Sequence, residues 1–354
     1  MRYRTFGRTD IELSEICFGA MRFTGTAGHV ARPGGISVGE VENQNRQGRR
    51  ALEAALDGGI NCIHSSSDYG TRWMLGEVLQ QHPKRTEIHH IVKLTSPDYE
   101  EAAFDAVQFR QNIEQDLREL HAERISLVQH LQRGPKVSKE DAYSVDGDAR
   151  RIGYLPEIVE PLGEVVEELQ EAGKIGHLIS FPHTMGYARA ALQTGVYAGI
   201  AHFLNLLETE ALDLLDDLEQ DGRGFLAIRP LLQGMLTDKR IDRAQLVDGD
   251  LKNSSNWDTR YALLARIREE LGDPDGSWET FALQFALAHP AVTSVVTSAS
   301  DEKQITVMLE AVRGEYPAEP TVSKVKRLCD ETGFLSKNDL FVENLARSTE
   351  DPVG

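Results

Sequence analysis

The thiols and imidazoles of this chain close off two kinds of chemistry. Its 3 cysteines, Cys17, Cys62 and Cys329, are widely spaced without a CxxC pair, so neither a disulfide framework nor a zinc site is expected. His130, His183 and His202 stand singly, without metal-ligand spacing, and read as structural side chains; no metal is expected. His89 and His90 open an apolar run and so fall away from the end of it where sites are built. No GxGxxG follows the first apolar run, which removes the fingerprint of an open dinucleotide-binding sheet. Arg229 comes directly after another apolar run. It is either a cation for a phosphate or a substrate carboxylate, or one side of a surface ion pair.

The elements that must position such groups recur along the chain. Short β-branched runs alternate with longer amphipathic stretches, the pattern of repeated βα units. Eight strands are expected, at Glu15 to Phe18, Cys62 to His64, His89 to Lys93, Ile125 to His130, Ile175 to Ser180, Gly199 to Leu204, Gly224 to Ile228 and Thr293 to Thr297. Helical periodicity lies between them, as at Gly48 to Leu56, Phe109 to Leu120 and Leu162 to Ala172. Eight such units favour a closed parallel (β/α)8 TIM barrel over an open sheet, and residues 1–354 read as one such domain. Residues 1–13 read as an N-terminal β-hairpin, 25–45 and 134–154 as loop insertions, and 334–354 as a C-terminal tail. A formal charge of −18 argues against nucleic acid and anionic membranes as partners and leaves a small-molecule substrate. The opening residues lack the apolar core of a signal peptide, and no stretch reaches the ~18 apolar residues of a membrane helix. A cytoplasmic protein is expected.

A series of motifs, in order, resembles the aldo-keto reductases over roughly residues 1–312. Tyr3-Arg4-Thr5-Phe6-Gly7-Arg8-Thr9 and Gly19-Ala20-Met21 come first, then Gly59-Ile60-Asn61, Asp68-Tyr69-Gly70 and Leu75-Gly76-Glu77. Lys93, Gly173-Lys174-Ile175, Asn205-Leu206-Leu207, Gly234-Met235-Leu236-Thr237 and Ala288-His289-Pro290 continue it. The resemblance implies a barrel that binds NADPH in extended form, with an Asp, Tyr, Lys and His tetrad at the strand ends. In such a tetrad the tyrosine delivers a proton to a carbonyl oxygen as hydride arrives. A phenol of pKa near ~10 does this only with a cation beside it.

Carried over by position, the resemblance makes Tyr69 the acid and Lys93 its cation. His64 stands where the family has Asp, five residues before the tyrosine, so Lys93 is expected to lack its counter-ion and to pull Tyr69 toward tyrosinate. His64 itself is either a neutral base or a filler bonded to Ser66 or Tyr69. Leu131 takes the histidine position, and His130, one residue early, replaces it only if a bulge turns it round. For the cofactor the resemblance implies Gly19, Pro230, Leu231, Gly234 and Leu236 near the pyrophosphate, and Ser298, Ser300, Lys303 and Gln304 near the adenosine phosphate. Ser180 (followed by Phe181), His202 and Ile228 fall at the nicotinamide positions. Arg72 and Trp73 are substrate candidates. Three readings follow: an NADPH-linked oxidoreductase of carbonyl or hydroxyl compounds; the same barrel reassigned to acid/base dehydration or epimerisation of a sugar or secondary metabolite; and a binding subunit without catalysis.

Overall fold

A computed structural model describes residues 1–22, 38–99, 101–135, 137–138, 141 and 144–332. Strands β1 (Tyr3–Thr5) and β2 (Glu12–Ser14) form the antiparallel hairpin expected at the N-terminus. Strands β3 (Ile16–Gly19), β4 (Cys62–Ser66), β5 (His89–Thr95), β6 (Ile125–Leu131), β7 (Ile175–Ser180), β8 (Gly199–Phe203), β9 (Gly224–Ile228) and β10 (Val292–Ser298) follow. They close in sequence order into a parallel barrel, β10 pairing with β3. The helices are α1 (Val38–Asp57), α2 (Arg72–Gln80), α3 (Ala106–Leu120), α4 (Val145–Glu171), α5 (Met185–Gln193), α6 (Leu212–Asp221), α7 (Asp258–Leu271), α8 (Trp278–Ala286), α9 (Glu302–Ala311) and α10 (Glu319–Thr332). The chain is thus a (β/α)8 barrel with an N-terminal hairpin.

Two apolar layers follow from strand alternation. Cys17, Cys62, Ile91, Leu127, Leu131, Ile179, Ala201 and Leu226 fill the barrel interior. Phe18, Ile63, Val92, Val128, Leu178, Ile200 and Ala227 face the helices. The hairpin plugs the N-terminal end, since Phe6, Ile11 and Leu13 join the interior layer. Phe6 lies so close to the first residues of β8 and β9 that a Cβ on Gly199 or Gly224 would come within 2.8 Å of its ring. Glycine there is a steric requirement. Arg4 ties the plug down by donating to the carbonyls of Leu287, His289 and Val292 and by pairing with Glu15 at 2.7 Å.

Two expected boundaries move. Residues 145–154 of the expected 134–154 insertion are the first turns of α4, and 38–45 of the expected 25–45 insertion open α1. The start of α4 is hidden in sequence by its charge and by Gly147, but Ser144 Oγ accepts from Gly147 N at 3.0 Å, and Asp146 and Asp148 sit in the first turn, where carboxylates favour the helix. Residues 25–37 and the 334–354 tail lie outside the described residues.

Truncating the plug tests its role. Phe6→Ala is expected to lower unfolding free energy by about 3–5 kcal/mol, the usual range for an enclosed phenylalanine, measured by urea denaturation. A change below about 1 kcal/mol would show that the hairpin is not part of the cooperative core.

Candidate active site

The C-terminal end of β4 turns into a short 3-10 segment, Ser67–Tyr69, and this turn builds the site. Ser66 Oγ accepts from Asp68 N at 3.3 Å, and Gly70, at φ 64, ends the turn in the left-handed conformation glycine tolerates best. Asp68 and Tyr69 are thereby presented above the barrel rim. On the neighbouring strand Lys93 shares a level with Ser66 and with Gln129 of β6, in the inward-facing set. Its Nζ donates to Asp68 Oδ2 at 2.6 Å and lies 5.5 Å from the centre of the Tyr69 ring. The ring of His64 is 6.1 Å from that of Tyr69. Tyr69, Lys93 and His64 are therefore brought together.

Asp68 changes the electrostatics expected from sequence. Lys93 does have a counter-ion; it is supplied by the residue just before the tyrosine rather than five before it. Burial lowers the Lys93 pKa, and the Asp68 carboxylate works against that shift. Burial would raise Asp68, but the ammonium of Lys93 outweighs it and holds the carboxyl below its usual range. Tyr69 is driven well above the ordinary phenol range, first by burial and then by the negative charge of Asp68. The expected tyrosinate is thus corrected: at neutral pH the group is a phenol that keeps its proton. His64 is lowered to about 4, by burial first and by Lys93 second, so it is neutral. Its Nε2 bonds Gln129 Oε1 at 3.0 Å, and neither Ser66 nor Tyr69 is its partner.

Several sequence candidates face elsewhere. β6 stays in register with β5 and β7 through His130, so no bulge turns that side chain inward. His130 instead packs in the outer layer, donating from Nε2 to the Ser96 carbonyl at 2.5 Å and meeting Tyr197 Oη at 2.8 Å, with Phe109 at its edge. It is a structural histidine. Ser180 is level with His130 and shares its outward direction. His202 is level with Ala227 of the outer layer, and its Nδ1 meets the Phe203 carbonyl at 3.1 Å. The nicotinamide contacts assigned to Ser180 and His202 are corrected accordingly. Arg72 is enclosed between helices, paired with Asp116 and, at 2.8 Å, with Glu119 on α3, so it clamps α2 to α3 instead of meeting substrate. Trp73 lies on the open face of α2, 48% exposed.

The mouth itself has an aromatic floor. Phe181 and Phe203 belong to the interior layer, with Ile228 packed against them. His183, at φ 62, sits edge-on to Phe181 at 4.1 Å and stacks on Phe203 at 5.6 Å. After β9 the chain carries Pro230, Leu231, Gly234 and Leu236 through a tight loop in which Leu232, Gln233 and Gly234 have φ of 44, 55 and 79. Non-glycine residues hold such angles only where the surroundings over-determine them, as in ligand clamps. At the end of β10, a Cβ on Gly19 would come 2.8 Å from Ser298 Oγ, which explains the missing side chain. Ser300 N donates to Gln304 Oε1 at 2.9 Å, bracketing the start of α9, and Lys303 projects to solvent. The loop after β9 and this bracket fit the phosphate half of a dinucleotide.

Two residues of the site were missed from sequence. Asp68 was legible as an acid next to the tyrosine. Arg133, just beyond β6, had no signal; its charge acts on both Lys93 and Asp68, while Nη1 pairs with Asp98 at 3.2 Å.

A parallel eight-stranded barrel with a phenol, an ammonium and a carboxylate at its C-terminal mouth is the frame of a barrel oxidoreductase. Residues 15–325 match the aldo/keto reductase family, and the chain belongs to that family of oxidoreductases. It is 21% identical over 339 residues to the uncharacterised oxidoreductase YqkF of Bacillus subtilis, covering 92% of this chain and 96% of that protein. It is 24% identical over 322 residues to L-galactose dehydrogenase of Arabidopsis thaliana, covering 87% of each. Among solved structures it resembles the aldo-keto reductase AKR11C1 of Bacillus halodurans (TM-score 0.64, 20% identity, 93% of this chain and 96% of that one). It also resembles the glycerol dehydrogenase AKR11B4 of Gluconobacter oxydans (TM-score 0.63, 20% identity, 92% and 94%). At these identities the structural likeness speaks to fold. Among the described residues no helix is long and apolar enough to cross a membrane.

The buried imidazoles give the fold a pH dependence. Burial lowers His64, His90 and His130 to about 4, against about 6.5 in an unfolded chain. Between those values the unfolded state binds more protons, so stability falls as pH falls through about 6.5 towards 4. Glu210, raised to about 7 by burial, and Asp148, also raised by burial, act oppositely, but His89, His183 and His202 are lowered by burial as well and add to the three. The urea midpoint is expected to be lower at pH 4.5 than at pH 7, and an unchanged midpoint would contradict this.

Proposed function

We propose that this chain is an NADPH-linked oxidoreductase that interconverts a carbonyl compound and its alcohol, with Tyr69 as the proton donor and acceptor. The observation that carries the reading is the convergence of Tyr69 with the Lys93–Asp68 pair at the barrel mouth. Reduction leaves an alkoxide oxygen that must be protonated as it forms. A phenol that holds its proton at neutral pH is a ready acid for that step, and the ammonium of Lys93, 5.5 Å from the ring centre, is near enough to stabilise the phenolate left behind. Asp68 holds Lys93 beneath the ring and opposes the loss of charge that burial favours. The neutral His64, bonded to Gln129, fills the position beside the ring without adding a second positive charge.

The dinucleotide, when bound, supplies or accepts the hydride. The residues that would hold it are Pro230, Leu231, Gly234 and Leu236 along the loop after β9, and Ser298, Ser300, Lys303 and Gln304 at the start of α9, with Lys303 the cation for a 2′-phosphate. Ile228 and the aromatic floor offer a flat apolar surface for the ring. The names of two relatives, an L-galactose and a glycerol dehydrogenase, favour a small polar alcohol or its carbonyl form as substrate. The raised Tyr69 pKa disfavours the acid/base alternative, which needs a resting phenolate.

Purified protein is expected to bind NADPH, followed by fluorescence, and to oxidise it with a small aldehyde. Tyr69→Phe should lower kcat by about 10²–10⁴-fold, the usual scale for a lost general acid, while NADPH still binds. An unchanged rate removes Tyr69 from the mechanism.

Asp68→Asn makes a second prediction. It deletes the charge that raises the Lys93 pKa, so Lys93 loses its proton earlier as pH rises. The alkaline limb of the kcat profile for reduction is expected to move to lower pH; a limb that stays in place means Asp68 is not the counter-ion that matters.

A further inference from the structure

Arg229 is a cation of the mouth with two guanidinium nitrogens left without a hydrogen bond. Its Nε and Nη2 are enclosed and have no hydrogen-bond partner. The nearest carboxylate oxygen, on Glu208, is 3.9 Å from Nη1, beyond hydrogen-bond range. Glu208 is held back by Asn205, whose Nδ2 donates to its other oxygen at 2.6 Å. Enclosed guanidinium nitrogens without a hydrogen bond are costly, and such groups persist where a ligand completes them.

The backbone under this side chain is fixed. Arg229 has φ 60, and its carbonyl accepts from Asn205 Nδ2 at 3.1 Å and from Leu232 N at 2.9 Å. The guanidinium lies folded inward, its Cζ 4.7 Å from the centre of the Phe203 ring in the interior layer. It therefore addresses the space over the barrel axis and not the outer side of the loop that follows it. Side-chain torsions alone can lift it to a ligand, and the side chain is already 17% exposed. β9 is four strands from β5 in the closed order, so Arg229 stands on the rim opposite Lys93, with Tyr69 on the turn after the neighbouring strand β4.

We propose that Arg229 receives the carboxylate of the substrate, which makes the preferred substrates small oxo-acids, or the corresponding hydroxy-acids in the reverse direction. The carbonyl end lies at Tyr69 and the carboxylate lies across the aromatic floor, gripped by two donors of the guanidinium fork. The reacting end rests on the reductase reading above, whereas the carboxylate end stands on Arg229 alone.

The test uses the full chain and its Arg229→Met and Arg229→Lys variants. Binding of succinate, an unreactive dicarboxylate, is measured by calorimetry, with inorganic pyrophosphate as a second probe. Wild type is expected to bind succinate, Arg229→Met to bind it at least about tenfold more weakly, and Arg229→Lys to fall between, since it keeps the charge but loses the fork. In turnover, the ratio of kcat/KM for 4-oxobutanoate to that for butanal is expected to fall at least about tenfold in Arg229→Met. Equal succinate affinity in all three proteins, or no binding to any, overturns the proposal. So does loss of pyrophosphate binding in Arg229→Met with succinate unaffected, which would assign the anion to the dinucleotide. If Arg229→Met fails to fold, Arg229→Lys carries the comparison, and succinate affinity equal to wild type there overturns the proposal. Succinate binding that depends on Arg229 in a protein that turns over neither aldehyde would sink the reductase reading and leave this one standing.

Discussion

The ion pair between Lys93 and Asp68 is the interaction around which the mouth of this barrel is organised. Lys93 is almost wholly enclosed, and burial disfavours its charged form. Asp68 opposes that loss of charge from a different position on the chain than the family resemblance implies. It can do so because the turn after β4 lifts residue 68 over the rim, while the strand directs residue 64 into the barrel. Relative to the position the resemblance implies, the carboxylate lies on the turn instead of the strand, and the imidazole of His64 stands at the strand position. This arrangement keeps a single positive charge beside the phenol.

The position of Asp68 has an electrostatic consequence for Tyr69. A carboxylate next to it along the chain opposes ionisation, and burial opposes it further, so the phenol is held as an acid. In the reading proposed above, the pair separates two tasks, Lys93 stabilising the phenolate when it forms and Asp68 adding to burial in opposing it at rest. This matches proton delivery to a nascent alkoxide better than abstraction of a carbon-bound proton.

The mouth contrasts with the rest of the molecule. A chain of net charge −18 concentrates Lys93, Arg133 and Arg229 around an opening floored by Phe181 and Phe203. Arg72 and Arg151, by comparison, are satisfied deep in the structure: Arg72 by two carboxylates of α3, and Arg151 by Asp148 and the carbonyls of Gln132 and Pro182. Low-dielectric walls make the few charges at the rim count for more than their number suggests.

By itself the sequence determined the barrel, because the apolar alternation of eight short runs and their spacing leave few other ways to bury both faces of the strands. It also placed Tyr69 and Lys93 at strand ends, since strand position follows from local pattern. The direction of side chains near those ends was decided by the tertiary structure. His130, Ser180 and His202 face the helices because strand alternation and register, set by neighbouring strands, assign each level a side, and one residue of offset reverses it. Arg72 looked free in sequence because its partners lie 44 and 47 residues away on α3. The partner of Lys93 was hidden for the same reason: 25 residues separate it from Asp68, and only closure of β4 against β5 brings the two charges together.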